Sequence, residues 1–308
     1  MIPPTLADLP PAPTGRSGWP WTEASPPVPD AGPWLTVSVI TPSFNQAAFI
    51  EETIRSVLLQ NYPALDYLVI DGGSTDGTQD ILRRYERWLR WISEPDRGQT
   101  DAINKGLRLA TGDILAYLNS DDTYLPGGLH AIVKFCRANP TAGLVYGECR
   151  VSDEHSMVFG DLPRRSFNLR RTIERGEFLP QQAVFWRHAV LDKVGEFDAT
   201  LHFAMDYEYF IRIGQAFPVA YLPQPVACFR MQATSKTVSQ SDKHWREALQ
   251  VSERYGLKPW NLWYWIRRVR HWGLRVLPVA WQMWIRRRLN RAQDPLLYSM
   301  RENISPRP

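Results

Sequence analysis

Cysteine is scarce in this chain: Cys136, Cys149 and Cys228 are the whole supply in 308 residues. They are odd in number and widely spaced, and they form no CxxC. A disulfide framework or a zinc ribbon is therefore not expected, and buried thiols in a reducing compartment are. The chain does not open with a basic segment followed by an apolar run, so no secretory leader is expected. No apolar stretch reaches the ~20 residues that a helix needs to span a bilayer. The location these absences imply is the cytoplasm, or the inner face of the plasma membrane. Acidic residues are missing from Lys258–Arg291, where nine Lys and Arg lie. That exceeds the net charge of +4, so the rest of the chain is net acidic. The basic charge belongs to one C-terminal element and not to the body.

What is present is ordinary for a globular protein, with 44% hydrophobic and 22% charged residues. Residues 1–34 hold ten of the 25 prolines and read as a mobile tail or a wrapping arm. Beyond them, Val37–Thr41 predicts a buried strand, and Ile50, Ile54, Val57 and Leu58 mark one face of a helix. Strands follow at Tyr67–Asp71, Arg90–Ile92 and Ile114–Leu118, with helices near 78–87, 99–110 and 127–138. Further on, Ala183–Trp186 predicts a strand and 206–216 a helix. Short strands are expected near Val219–Leu222 and Val226–Phe229. The alternation predicts an α/β fold, a mostly parallel sheet flanked by helices. Ligands bind such sheets at the C-terminal strand edge. Polar residues stand at that edge after three strands: Thr41-Pro42-Ser43, Asp71-Gly72-Gly73 and Ser120-Asp121-Asp122.

Asp121-Asp122 follows an apolar strand directly. An isolated acidic pair is more often a solvated turn or a helix cap, but at a strand exit it suits a hard cation, Mg²⁺ or Mn²⁺. Such an ion stabilises the charge that builds on a diphosphate leaving group. Asp71 can accept hydrogen bonds from a base or a ribose, although Gly-Ser-Thr turns use the same residues. Asp76 reads as a helix cap. Asp101 and Lys105 stand one turn apart on a helix, where a surface ion pair is the plain expectation. Arg97 sits in the preceding loop, within reach of phosphates.

Four segments, VSVITPSFN (37–45), VIDGGSTDGT (69–78), DRGQTDAINKG (96–106) and GDILAYLNSDD (112–122), together resemble the family 2 glycosyltransferases of GT-A (Rossmann-like) fold, over roughly residues 36–240. The resemblance implies an inverting transfer from a nucleotide-sugar donor to a glycan or lipid-linked acceptor, of the kind found in bacterial surface polysaccharide assembly. It implies that Thr41, Pro42 and Ser43 pack around the nucleoside, that Asp71 lies beside base and ribose, and that Asp101 lies near the donor sugar. It makes Asp122 the direct metal ligand and puts Asp121 nearer the donor's sugars. Many members carry two acids where this chain has Asp71-Gly72. In the second half, Asp206 is the implied general base, with Glu208 two positions on; Met205 stands where an acid is common. Gln181 and Gln182 fall in a stretch that lines the acceptor side, and Arg230 and Lys236 in a loop that closes on the diphosphate, with Gln232 where a His is common.

The expected organisation is a Pro-rich tail (1–34), a catalytic domain (35–240, with halves 35–125 and 126–240) and a basic, Trp-rich helical region (241–308). That last region places Leu262, Trp265, Ile266, Val269, Trp272 and Val276 at helical spacing, flanked by Arg267, Arg268, Arg270, His271 and Arg275. Six of the thirteen tryptophans lie between 260 and 284. Such C-terminal amphipathic helices suit an anionic membrane surface, or packing on the body or on a second copy. Nucleic acid is not an expected partner, because no nucleic-acid-binding fold accompanies the basic residues. Two other functions share some of these features: a sugar-1-phosphate nucleotidyltransferase, whose Gly-rich, Arg-containing loop is missing from residues 37–45, and a non-catalytic glycan-binding protein.

Overall fold

The computed structural model describes residues 3–26, 34–232 and 241–268. The strands are β1 (Val37–Ser43), β2 (Leu65–Asp71), β3 (Arg90–Ser93), β4 (Ile114–Tyr117), β5 (Thr123–Tyr124), β6 (Leu144–Ser152), β7 (Val158–Asp161), β8 (Val184–Arg187) and β9 (Val219–Arg230). The helices are α1 (Ile50–Leu58), α2 (Thr78–Tyr85), α3 (Gln99–Leu109), α4 (Gly128–Ala138), α5 (Leu169–Arg175), α6 (His188–Val194), α7 (Met205–Ala216) and α8 (Ser241–Arg254).

One sheet runs through the molecule in the order β3-β2-β1-β4-β8-β6-β9-β5, with β7 paired to β6. The first four strands are mutually parallel, as the βαβ alternation predicts. From β8 onward the sheet is mixed: β8 is antiparallel to β4 and β6, and β9 is parallel to β6. The two short strands expected at 219–229 are one continuous strand, β9. Its pairing with β6 slips around Glu148, opposite Pro225, where proline has no ladder donor.

The period of two along each strand builds two cores, one on each face. Val37, Val39, Tyr67, Val69, Ile114 and Ala116 face α1, α2 and α4. Ile40, Leu68, Ile70, Leu115 and Tyr117 face α3 and α7. On that face α3 lies so close to β1 that a Cβ at Gly106 would enter the Ile40 side chain. Helix α8 adds Ala248 and Val251 to the same core, so the start of the C-terminal region packs on the body.

The Pro-rich stretch, over residues 3–26, is a wrapping arm. Arg55 of α1, fully buried, is its anchor. The Arg55 guanidinium donates to the carbonyls of Pro10 (2.8 Å), Pro20 (3.0 Å) and Trp21 (3.0 Å), and lies 5.3 Å from the Trp21 ring centroid. Trp19 Nε1 donates to the Tyr124 carbonyl at 2.9 Å. Buried arginine is tolerated here because backbone oxygens replace its water.

Candidate active site

Strands β1, β2 and β4 end at one edge, where the last residues of β1 and β2 supply Thr41, Pro42, Ser43 and Asp71 and the loop after β4 supplies Asp121. Asp121 and Asp122 follow β4, and four segments converge to hold them. Asp122 is fully buried. Its Oδ1 accepts from the Arg230 backbone N–H at 2.9 Å, and its Oδ2 from Gln182 Nε2 at 3.0 Å and Asn119 Nδ2 at 3.2 Å. Its carbonyl accepts from Thr53 Oγ1 of α1 at 2.8 Å. Burial pushes the Asp122 carboxyl well above the usual carboxylate range, and the neighbouring Asp121 charge adds to this. Asp121 is partly exposed. Its Oδ2 accepts from Gln232 Nε2 at 2.7 Å, and burial raises it as well. Asn119 lies between: Gln99 Nε2 donates to its Oδ1 at 2.7 Å, and its Nδ2 also reaches Gln181 Oε1 at 3.2 Å. Gln181 in turn donates to the Tyr117 carbonyl at 2.7 Å.

These contacts change several expectations. Asp122, expected as the direct metal ligand, has both oxygens taken by three protein donors. Gln181 and Gln182, expected on the acceptor side, are buried beneath the acidic loop and brace it. Arg230, expected to reach phosphate, is also buried; its Nε donates to the Asp121 carbonyl at 2.8 Å and its Nη2 pairs with Glu52 at 3.2 Å. Lys236 lies outside the described residues.

At the end of β2, Asp71 is fully buried in a turn of its own making. Its oxygens accept from Ser74 Oγ (2.5 Å), Ser74 N (2.9 Å), Gly73 N (3.2 Å) and Ser93 Oγ (2.6 Å). Thr41 is turned inward, its Oγ1 3.1 Å from the Tyr67 hydroxyl. Pro42 is buried within β1. Ser43 is buried too, but its Oγ has no hydrogen-bond partner among the described residues. Asp76 accepts from Thr78 N at 3.0 Å, but the N-cap of α2 is Gly77, so Asp76 shapes the turn before the helix and is not the cap expected. Asp101 pairs with Arg97 at 3.2 Å, not with Lys105, which pairs with Glu94 at 2.6 Å. The Arg97 hydrogen bonds hold the Asp101 carboxyl below its ordinary value.

Asp206 opens α7, and its Oδ1 accepts from the Tyr207 N–H at 2.7 Å. Burial pushes it up to about 6, with a smaller contribution from the Glu247 charge. Tyr117 links the two acidic centres: burial first, then the charges of Asp206 and Asp122, raise its hydroxyl. Glu208 points away from this side. It is buried in an ion pair with Arg212 at 2.9 Å and accepts from the Tyr255 hydroxyl, so it does not line an acceptor surface.

Two further residues escaped the sequence reading. Glu247 of α8 accepts from the backbone N–H groups of His202 (3.0 Å), Phe203 (2.6 Å) and Ala204 (2.6 Å), the turn that delivers Asp206. A lone Glu on a polar helix 43 residues beyond Ala204 carries no local signal of this. Phe44 stands 60% exposed where β1 leaves the sheet. An aromatic side chain directly after a fully buried strand was the available signal.

Among the described residues no three His, Cys, Asp or Glu converge on a cation. The residues present nonetheless fit a hard cation held by one or two carboxylates and completed by substrate phosphates, the usual arrangement for Mg²⁺. Asp121, the less enclosed of the pair, is the group free to serve in that way.

The family model for Glycosyl transferase family 2 matches residues 38–189. A glycosyltransferase of Mycobacterium tuberculosis is 34% identical over 184 residues, which cover 58% of this chain and 68% of the relative. The PGL/p-HBAD biosynthesis glycosyltransferase of Mycobacterium bovis is 29% identical over 229 residues, 72% of this chain and 86% of the relative. The putative teichuronic acid biosynthesis glycosyltransferase TuaG of Bacillus subtilis is 42% identical over 103 residues, 32% of this chain and 41% of its own. Two solved structures share the fold. The mannosyltransferase PcManGT from Pyrobaculum calidifontis, in complex with GDP-Man and Mn²⁺, has a TM-score of 0.60 at 21% identity and covers 92% of this chain and 83% of its own. TarS 1–349 of S. aureus, in complex with UDP-GlcNAc, has a TM-score of 0.61 at 17% identity and covers 80% of this chain and 78% of its own.

Proposed function

The chain belongs to the family 2 glycosyltransferases of GT-A fold, and from that premise we propose that it transfers a sugar, with inversion, from a nucleotide-diphosphate sugar to a hydroxyl of a glycan or lipid-linked acceptor. The observation that carries the reading is that the first turn of α3 joins the two acidic elements: Gln99 donates to Asn119 of the Asp121-Asp122 loop at 2.7 Å, and Thr100 donates to the Leu201 carbonyl at 2.8 Å, in the segment that leads into Asp206. One acid stands at a strand exit and the other at a helix N-terminus.

In this mechanism Asp206 takes the proton of the acceptor hydroxyl. A carboxyl raised to about 6 is ionised near neutral pH yet more basic than a solvated aspartate. The acceptor oxygen bonds to C1 of the sugar as the bond from C1 to the diphosphate oxygen breaks. One displacement from the opposite face inverts the anomeric centre. Asp121 would hold a Mg²⁺ or Mn²⁺ ion, whose chemistry is to neutralise the departing diphosphate. Asp122 holds the loop in place from below, through Arg230, Gln182 and Asn119. PcManGT, a relative in fold, is described with Mn²⁺ and GDP-Man, which supports a divalent ion here. Ser43 and Asp101 are assigned to the donor side, with Phe44 added as an apolar platform for the base. Thr41, Pro42 and Asp71 shape that side from within.

Surface glycan assembly is the process we assign, on the names of TuaG and the mycobacterial relative. We also assign an anionic membrane surface to the C-terminal region. Trp260, Leu262, Trp265 and Ile266 are exposed together beside Lys258 and Arg268, an apolar patch with a cationic margin. Arg267 does not share that margin, because its guanidinium is buried against Ser252 and Ala248. The segment from Val269 onward, including Arg270, Trp272, His271 and Arg275, lies outside the described residues. No described helix is long and apolar enough to cross a membrane.

The direct experiment is transfer from a panel of nucleotide sugars to lipid-linked and free glycans, with Mg²⁺, Mn²⁺ or EDTA. Turnover that depends on the cation and is lost in Asp206→Asn supports the mechanism. Undiminished turnover in Asp206→Asn refutes the base assignment.

A further inference from the structure

We propose that Asp96 is the carboxylate that grips the nucleoside of the donor, by accepting hydrogen bonds from its N–H or O–H groups, and that Gly72 is glycine to make room for it. The inference rests on the donor crevice assigned above.

Asp71 is poorly suited to that task. Four donors already occupy its two oxygens, which is about the capacity of a carboxylate. A nucleoside could reach Asp71 only by breaking the turn at 71–74. Asp96 is placed differently. It lies in the loop after β3, the next strand along the same sheet edge, and its side chain is partly exposed. Its Oδ1 is fixed by the Gly98 N–H at 2.8 Å. Its Oδ2 is turned onto Gly72: a Cβ there would stand 2.7 Å from Oδ2 and 3.1 Å from Cγ.

The loop is pressed onto the end of β2 by other contacts as well. Glu94 N donates to the Asp71 carbonyl at 3.0 Å. At Gly73, where φ is +83°, a Cβ would stand 3.5 Å from the Pro95 nitrogen. Two glycines therefore let the two strand exits lie one upon the other, with the Asp96 carboxylate over the first. Across the β1–β2 register, Ser43 pairs with Asp71. Ser43 is 4% exposed, and its Oγ has no partner among the described residues. A buried hydroxyl left unpaired is costly, and a ligand seated at this strand edge is one way to satisfy it. An oriented carboxylate and an unpaired hydroxyl thus flank Gly72.

An ionised carboxylate accepts and does not donate. It favours bases with a ring N–H at the pairing edge, uracil and guanine, over cytosine and adenine, which present a bare ring nitrogen there. A ribose hydroxyl could use the same oxygen, and 2′-deoxynucleotides tell the two sources apart.

The test is titration calorimetry of the full chain with UDP, GDP, CDP and ADP and their 2′-deoxy forms, with Mg²⁺ present. Asp96→Asn keeps the side chain's shape and the oxygen that Gly98 needs. It should weaken the preferred nucleotide about tenfold, the scale of a hydrogen bond to a charged group, and narrow the gap to the others. Gly72→Ala should weaken binding similarly, because its methyl displaces the carboxylate. In the double variant Gly72→Ala, Asp96→Gly the collision is gone, so thermal stability should recover while affinity stays low. Unchanged affinity in Asp96→Asn overturns the proposal. So does a double variant that binds as the wild type does, because Asp96 would then serve the loop alone. If the wild-type protein binds none of these nucleotides, the donor crevice itself is refuted, and the inference falls with it.

Discussion

Gln182 donates its side-chain amide to the Asp122 carboxylate at 3.0 Å, joining residues 60 apart in the chain beneath the acidic loop. With Asn119 and the Arg230 backbone, it turns Asp122 inward and leaves Asp121 the more exposed of the two acids. The pair therefore divides into one residue that holds the loop and one that can meet a cation.

That division gives the first prediction. Asp122→Ala should lower both thermal stability and activity, because three buried donors lose their acceptor at about 1–3 kcal/mol each. Asp121→Ala should abolish cation-dependent turnover with a much smaller fall in Tm. Calorimetry paired with an activity assay separates them; equal Tm losses would contradict the division.

Gln182→Leu leaves the volume nearly unchanged but removes one donor to Asp122. Leaving the buried Asp122 oxygen without that donor costs about 1–3 kcal/mol. Turnover should fall while the KM for a soluble acceptor stays constant. A selective rise in acceptor KM would restore Gln182 to the acceptor side.

The acid limb of kcat/KM should lie at about pH 6, set by Asp206. The ionised carboxylate is the active form, so activity rises as pH passes upward through that value. Removing the Glu247 charge should move the limb to lower pH, because that charge helps to raise Asp206. Glu247→Gln keeps one acceptor oxygen for the 202–204 turn and is the variant to use. For stability the sign is opposite to that of an ion-paired acid. The folded state keeps the Asp206 proton that the unfolded chain has released, so this group's contribution falls as pH rises from about 4 to about 6.

The N-terminal arm offers a fourth prediction. Arg55→Met should strip three backbone carbonyls of their donor, destabilising the protein by several kcal/mol at about 1–3 kcal/mol per orphaned group. Residues 3–26 should then be cut faster by protease than the body. Protection equal to that of the wild type would show that the arm is held by Trp19 and Trp21 instead.

For the membrane reading, Trp260→Ser with Trp265→Ser should reduce co-flotation with vesicles containing phosphatidylglycerol. The two rings are 84% and 53% exposed, so the fold should not suffer. Unchanged flotation would refute this surface.

The parallel half of the fold was legible because its signals are local. Val37–Thr41, Tyr67–Asp71 and Ile114–Leu118 each declare a buried strand, and turns and helical faces follow them at once. Positions 139–180 were not legible. Strand β6 mixes Gly147, Glu148 and Arg150 with apolar residues, so it shows no clean period, and α5 has seven residues with only Thr172 buried. At the site, residue type was readable and orientation was not. Asp71, Gln181, Gln182, Glu208 and Arg230 are polar groups at plausible places, yet each turns inward to a partner. Asp71 and Glu208 each find a partner within four residues, but the partners of Gln181, Gln182 and Arg230 lie 64, 60 and 108 residues away, and no local pattern announces those. Glu247 shows the converse, a polar helix residue whose importance exists only through the turn it holds.

The most direct test of the account is the anomeric configuration of the product, followed by proton NMR from an α-linked nucleotide sugar. A β-linked product that forms with the wild type, and is absent with an Asp206→Asn variant that still binds donor, is the predicted result. An α-linked product, or wild-type turnover in that variant, would contradict it.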